Sequence, residues 1–243
     1  MGWLKLKEYG LKEAYIRKLM KEFGAYSDMF IASNFNLFSD KFKSTLEKVD
    51  KVDVSRILET HNKSSVRIIS AKDNEYPSDI KKLVDFPTFL YVKGNEMHRE
   101  RKIAVVGTRK VTKFGKASCE KIVKDLLEYD ITIVSGLAEG IDTIALNIAV
   151  QKNNNPIAIV GTGLDIVYPF ENREIWEKIG REGTIISEYP LGTSAQKWNF
   201  PKRNRLIAAI SNGVLVLQYY NSLYSTYFCL DNSFFFHVFL VGI

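Results

Sequence analysis

The stretch KIAVVGTRKVTKFGKASCEKIVKDLLEYDITIVSGLAEGID, residues 102–142, decides the fold of this chain. It opens on an apolar run of strand length, Ile103–Val106, and continues in a helical pattern over Gly115–Glu128. A second apolar run, Ile131–Val134, leads into another helical pattern, Asp142–Gln151. The runs are apolar without alternation, so both faces of each strand are buried, as in a parallel sheet lying between helices. Working outward, apolar runs recur at Ile157–Val160, Thr184–Ile186 and Val214–Leu217, with helical patterns at Glu171–Ile179 and Arg203–Ile210. Strand–helix repetition of this kind predicts an α/β, Rossmann-like, doubly wound parallel sheet over residues 101–217.

The flanks read differently. Residues 1–62 carry helical periodicity: Leu11, Tyr15, Ile16, Leu19 and Met20 share one face, and short helices are expected around Ser27–Ala32 and Phe42–Val49. This is a small helical, SAM-like domain. Residues 63–100 hold two short β runs, Val66–Ile69 and Phe89–Val92, and are expected to form a connector that packs on the core. Residues 218–243 break with everything before them. They contain no Lys or Arg, and nine of the 26 residues are Tyr or Phe.

The bulk numbers narrow the function. Hydrophobic residues make up 46% and charged residues 26% of the 243, ordinary for a globular protein with a real core. The net charge of +6 and pI near 9.1 lean toward an anionic partner, although a generic basic protein has the same balance. Cys119 and Cys229 match no metal or redox spacing, which predicts a reducing compartment and no disulfide. The N-terminal MGWLKLKEYG lacks the apolar run of a signal peptide, and no stretch has the roughly 20 apolar residues of a spanning helix. A cytoplasmic location without membrane contact is expected.

In an open parallel sheet, ligands sit beyond the carboxyl ends of the strands. Here those ends are Gly107-Thr108-Arg109, Ser135 to Gly140, Gly161-Thr162-Gly163 and Ser187-Glu188-Tyr189-Pro190. Small residues at such ends let backbone N–H groups approach an oxyanion, although a glycine also simply makes a turn. Two nucleotide signatures fail. The Walker pattern has Lys110 in place of its first glycine and Ala117 in place of its hydroxyl, and the G-x-G-x-x-G fingerprint begun at Gly161 has Ile166 at its third glycine. ATP and NAD are therefore disfavoured and no cofactor is expected. Cys119 reads as structural. His61, His98 and His237 lie outside the sheet core, Asp142 reads as a helix cap and Glu188 as a group that orients a cation or loop. No catalytic or metal-ligating set emerges, and the site reads as one for binding.

Lys197-Trp198-Asn199-Phe200-Pro201-Lys202-Arg203-Asn204-Arg205 packs four cations, two aromatics and two amides into nine residues, just before a helix. Cations hold phosphates through charge-assisted bonds and an aromatic face stacks a base. The competing reading is a solvated basic loop anchored to the core by Trp198 or Phe200.

These residues also carry a resemblance. VVGTRKVTKFG (105–115), IVSGLAEGID (133–142), AIVGTGLDIVYP (158–169), ISEYPLG (186–192) and FPKRNRLIAAIS (200–211) resemble, in order, the motifs of the DNA-processing protein A (DprA/Smf) family. YPSDIKKLVDFPTFLYVKGN (76–95) is similar to the segment preceding the Rossmann core in that family, and the resemblance spans roughly residues 10–217. It implies single-stranded-DNA binding, a homodimer, and loading of a RecA-type recombinase during natural transformation or recombination. It also implies phosphate contacts from Gly107, Thr108, Arg109, Ser135, Gly136, Lys197, Arg203 and Asn204, with Phe200 stacking on a base. Thr108 stands where the family often has Ser, and Leu146 near a position often held by His.

Two other functions compete: a Rossmann nucleotide hydrolase of the lysine-decarboxylase-like (LOG) type, and a module that senses a mononucleotide. The hydrolase's PGGxGTxxE motif has no counterpart between Gly107 and Leu217. Compared with the family, residues 218–243 lack the expected segment rich in Ser, Gly and Thr. They read as the product of a frameshift or truncation near Leu217, or else as a divergent final helix and strand. A frameshifted tail would impair the last sheet edge and the dimer.

Overall fold

The computed structural model describes residues 2–97, 101–218 and, as backbone, the strand His237–Val241. The N-terminal part is helical: α1 (Gly2–Glu8), α2 (Glu13–Glu22), a 3-10 turn at Tyr26–Phe30, α3 (Ala32–Phe35), α4 (Asp40–Asp50) and α5 (Ser55–Lys63). Its apolar face is the one the sequence predicts, with Ile16, Leu19 and Met20 buried in the core.

Strands β1 (Val66–Ser70) and β2 (Phe89–Gly94) flank the short α6 (Ser78–Lys81). The core then alternates β3 (Lys102–Gly107), α7 (Lys113–Leu127), β4 (Thr132–Ser135), α8 (Ile141–Gln151), β5 (Ile157–Val160) and α9 (Arg173–Glu182). It continues with β6 (Thr184–Ser187), α10 (Asn199–Ile210), β7 (Gly213–Leu217) and β8 (His237–Val241). All form one sheet in the order β1-β2-β6-β5-β4-β3-β7-β8. From β6 through β8 every pairing is parallel, and β2 joins β6 antiparallel, with Tyr91 opposite Ser187. Strands β1 and β2 of the segment expected to be a connector therefore extend the sheet itself.

Alternation along the strands divides the core in two. Ala104, Val106, Val134, Ile157 and Ile159 face Leu206, Ile207 and Ile210 of α10 together with the N-terminal helices. Val105, Ile133 and Leu215 face Cys119 and Val123 of α7 and Ala145 of α8 on the other side. Burial pushes the Cys119 thiol up to about 12, so it is an inert packing group.

The N-terminal helices are fastened to the core by polar bonds as well. The Glu13 carboxylate accepts from Thr88 N (3.1 Å) and Thr88 Oγ1 (2.7 Å), and Arg17 donates to the Phe86 carbonyl (2.9 Å).

Most of the aromatic C-terminal segment, 219–236, lies outside the described residues. The described strand β8 pairs in parallel along β7, with Gly213 opposite His237 and Leu217 opposite Val241, so the edge of β7 is covered.

Candidate nucleic-acid interface

Helix α10 begins at Asn199, four residues earlier than the sequence pattern predicts. Pro201 falls in its first turn, where the missing N–H costs nothing. Phe200, Arg203 and Asn204 therefore ride on a rigid helix rather than on a loop. Asn199, which is buried, donates to the Gly161 carbonyl (2.9 Å) and pins this end of the helix to the carboxyl end of β5.

One turn further on, the buried Arg203 reaches under the loop after β4. Its Nη1 donates to the carbonyls of Gly136 (2.6 Å) and Ile159, and its Nε to Asn204 Oδ1 (3.2 Å). Its neighbour is Asp142, at the head of α8, whose Oδ2 accepts from the amides of Gly136 (3.0 Å) and Ala138 (3.4 Å). Burial lowers Arg203 to about 10, with Asp142 opposing the shift and Arg109 adding to it, so it stays protonated at neutral pH. Burial raises the Asp142 carboxyl, against the pull of Arg203 and the two amides. Gly136 has no room for a side chain: a Cβ there would lie 2.6 Å from Arg203 Nη2 and 2.7 Å from Asp142 Oδ2.

The loop is held from two further sides. Asn172 donates to the Leu137 carbonyl (2.9 Å) and to Thr143 Oγ1 (2.8 Å). Gly140, at φ +85°, lets the chain pass the loop after β3, where a Cβ would lie 2.2 Å from the Thr108 carbonyl.

Above this brace lies a shallow cleft lined by Arg109, Glu139, Tyr168, Phe200 and the edge of Arg203. The rings of Tyr168 and Phe200 meet at 5.3 Å and 31°. Tyr168 is 46% exposed, and Phe200 is half-buried beneath Gly161. Arg109 is exposed and makes no ion pair with another described residue. Lys197 is exposed and likewise unpaired among the described residues, two residues ahead of α10 and outside the cleft lining.

The residues singled out from the sequence thus divide into two groups. Ser135, Gly136 and Arg203 are internal: Ser135 Oγ donates to the Val105 carbonyl (2.6 Å), and both polar groups of Gly136 are bonded within the fold. Gly136 and Arg203 form the floor of the cleft, with their polar groups largely turned into the fold. Gly107 closes β3, and the Thr108 hydroxyl accepts from Lys110 N (3.1 Å), shaping the turn that presents Arg109. Arg109, Lys197 and Phe200 face outward, and Asn204 fixes Arg203.

At the head of α7, where a dinucleotide's pyrophosphate sits in a Rossmann fold, Gln218 Oε1 already accepts from Thr112 N (3.0 Å). His61 is buried with Nδ1 against the Ile57 carbonyl (2.7 Å), while His98 and the side chain of His237 lie outside the described residues. No cluster able to hold a metal exists among the described residues, and none of their helices is long and apolar enough to cross a membrane.

A glycine gripped between a buried Asp and a buried Arg, beneath an Arg-and-aromatic cleft, is what the five ordered motifs build. The model of the family described as DNA recombination-mediator protein A matches residues 67–222. The chain belongs to that family. It is 34% identical to the DNA processing protein DprA of Streptococcus pneumoniae over 224 residues, covering 88% of this chain and 76% of that protein. It is 40% identical to Protein Smf of Synechocystis over 168 residues, but spans only 42% of that relative's length. Among solved structures, DprA of S. pneumoniae superimposes with a TM-score of 0.74 at 32% identity, covering 94% of this chain and 82% of that one. DprA of Helicobacter pylori, whose structure describes a single-stranded-DNA binding mode, gives 0.61 at 30% identity, covering 67% and 73%.

Within this DprA framework, Asp142 does not cap its own helix as the sequence reading expects but holds the amides of Gly136 and Ala138 in the preceding loop. Sequence reasoning also missed the structural use of Asn172 and Asn199 and the place of Tyr168 in the cleft. Tyr168 stands in the quoted motif AIVGTGLDIVYP, and its aromatic ring next to a proline was the available signal.

Proposed function

We propose that this chain binds single-stranded DNA in the cleft between the loop after β3 and the head of α10. Arg109 and Lys197 engage backbone phosphates, and the Phe200–Tyr168 pair receives a base. Ser135, Gly136, Arg203 and Asn204 position those groups, and Gly107 and Thr108 set the turn that carries Arg109. The observation that carries this reading is an exposed Arg109, unpaired among the described residues, in one cleft with the exposed Tyr168 and the half-buried Phe200, on a floor whose polar groups are bonded within the fold. Such a site suits a flexible anionic strand with open base faces.

Binding without turnover fits the same geometry. The Asp142 carboxylate is buried and accepts from two amides, and Glu188 is held by Lys202 (3.2 Å) and Arg205 (2.7 Å), so neither carboxylate is poised as an acid or base. By likeness to its DprA relatives, the chain is assigned a cytoplasmic role as a homodimer. It would hand single-stranded DNA to a RecA-type recombinase in DNA uptake or recombination. Arg109→Ala tests the site: loss of binding to a labelled oligo-dT at an unchanged melting temperature is expected, and unchanged binding would remove Arg109 from it.

A further inference from the structure

Three charged groups line the cleft; Arg203 is tied down by the carbonyls of Gly136 and Ile159, which leaves Arg109 and Glu139 turned to it. Glu139 is exposed and makes no ion pair with another described residue. A carboxylate accepts hydrogen bonds and donates none, so it repels a phosphate and needs an N–H donor as its partner. In the same cleft, Tyr168 and Phe200 offer aromatic surface to a planar ring. Together they make a place for a nucleobase, with its ring against the aromatics and its edge toward Glu139.

We infer that Glu139 reads the hydrogen-bonding edge of that base, so that a strand presenting guanine is held more tightly than one presenting thymine. The inference rests on the proposal that this cleft binds single-stranded DNA. Guanine offers adjacent N1–H and N2–H donors that match the two oxygens of one carboxylate. Cytosine and adenine offer a single amino group each. Thymine places one N–H between two carbonyls, which repel the carboxylate.

The test is competition of short oligo-dT strands, each carrying one central dG, dA, dC or inosine, against a labelled oligo-dT. The dG strand is expected to compete about tenfold better than unsubstituted dT. Inosine, which lacks the 2-amino group, should fall between them. Glu139→Gln should erase the dG advantage and leave the melting temperature unchanged, because the side chain is exposed. Equal competition by all strands, or a uniform rise in affinity for every strand in Glu139→Gln, overturns the inference and leaves the single-strand reading standing. Failure of every strand to bind overturns both.

Discussion

Asp142 and Arg203 divide the two polar groups of Gly136 between them: Asp142 accepts its N–H at 3.0 Å, and Arg203 donates to its carbonyl at 2.6 Å. One residue thereby joins the head of α8 to the middle of α10, and the loop after β4 has a single available path. The cleft owes its shape to this arrangement, because Arg109 and Tyr168 stand on loops that the braced segment supports.

Removing Arg203 should therefore damage the fold before it damages binding. Arg203→Ala strips the buried carbonyls of Gly136 and Ile159 of their donor and removes the charge that favours the buried Asp142 carboxylate, at about 1–3 kcal/mol for each group left unsatisfied. Arg203→Lys should recover little, since an ammonium cannot reproduce the guanidinium fork that reaches two carbonyls. Thermal melting checks both. A variant that melts like the parent protein while losing DNA would instead make Arg203 a direct phosphate ligand.

Gly136→Ala is expected to cost about 1–3 kcal/mol, because the new methyl would overlap a buried guanidinium on one side and a buried carboxylate on the other. Denaturant unfolding measures it, and an unperturbed midpoint would show that the brace yields easily.

How much of this was legible is clear from where the expectations landed. The five core strands fall at the sequence-predicted positions to within a residue or so, because strands buried on both faces leave uninterrupted apolar runs. The start of α10 lies four residues before the expected Arg203, and Pro201 is accommodated because it falls in the first helical turn. The joining of β1 and β2 to the sheet depends on antiparallel register with β6, far away in the chain, which no local pattern records. Arg203 looks like any other cation of a basic stretch until Asp142 is brought beside it by the folding of α8.

Phe200→Ala should weaken binding to single strands by about 1–3 kcal/mol without changing the salt dependence, as expected for lost stacking rather than lost charge. Because Phe200 also packs beneath Gly161, a moderate drop in melting temperature should accompany it. Full affinity at a lowered melting temperature would make Phe200 a core anchor only.

Glu13 predicts a pH effect on the fastening of the helical part. Burial raises its pKa, but the charge of Lys7 and the bonds from Thr88 outweigh this and hold the carboxyl below its usual value. A depressed folded pKa stabilises the protein above the unfolded value, near 4.5, and that contribution is lost as pH falls through the folded value. Glu13→Gln should thus lower stability at neutral pH by about 1 kcal/mol and flatten the acid limb below about pH 4.5. Parallel acid limbs for the two proteins would show that the bond to Thr88 carries no charge-dependent stability.

The central claim, a single-strand site built from Arg109, Lys197 and the Phe200–Tyr168 pair, is tested most directly by titrating a labelled oligo-dT of several tens of nucleotides at two salt concentrations, beside the matched duplex. The account predicts saturable binding that favours the single strand. It predicts a logarithmic salt slope of about −1.4 or steeper, at about −0.7 for each phosphate held, and a shallower slope in Arg109→Ala and Lys197→Ala. Equal affinity for the duplex, or a salt slope that neither substitution changes, would contradict it.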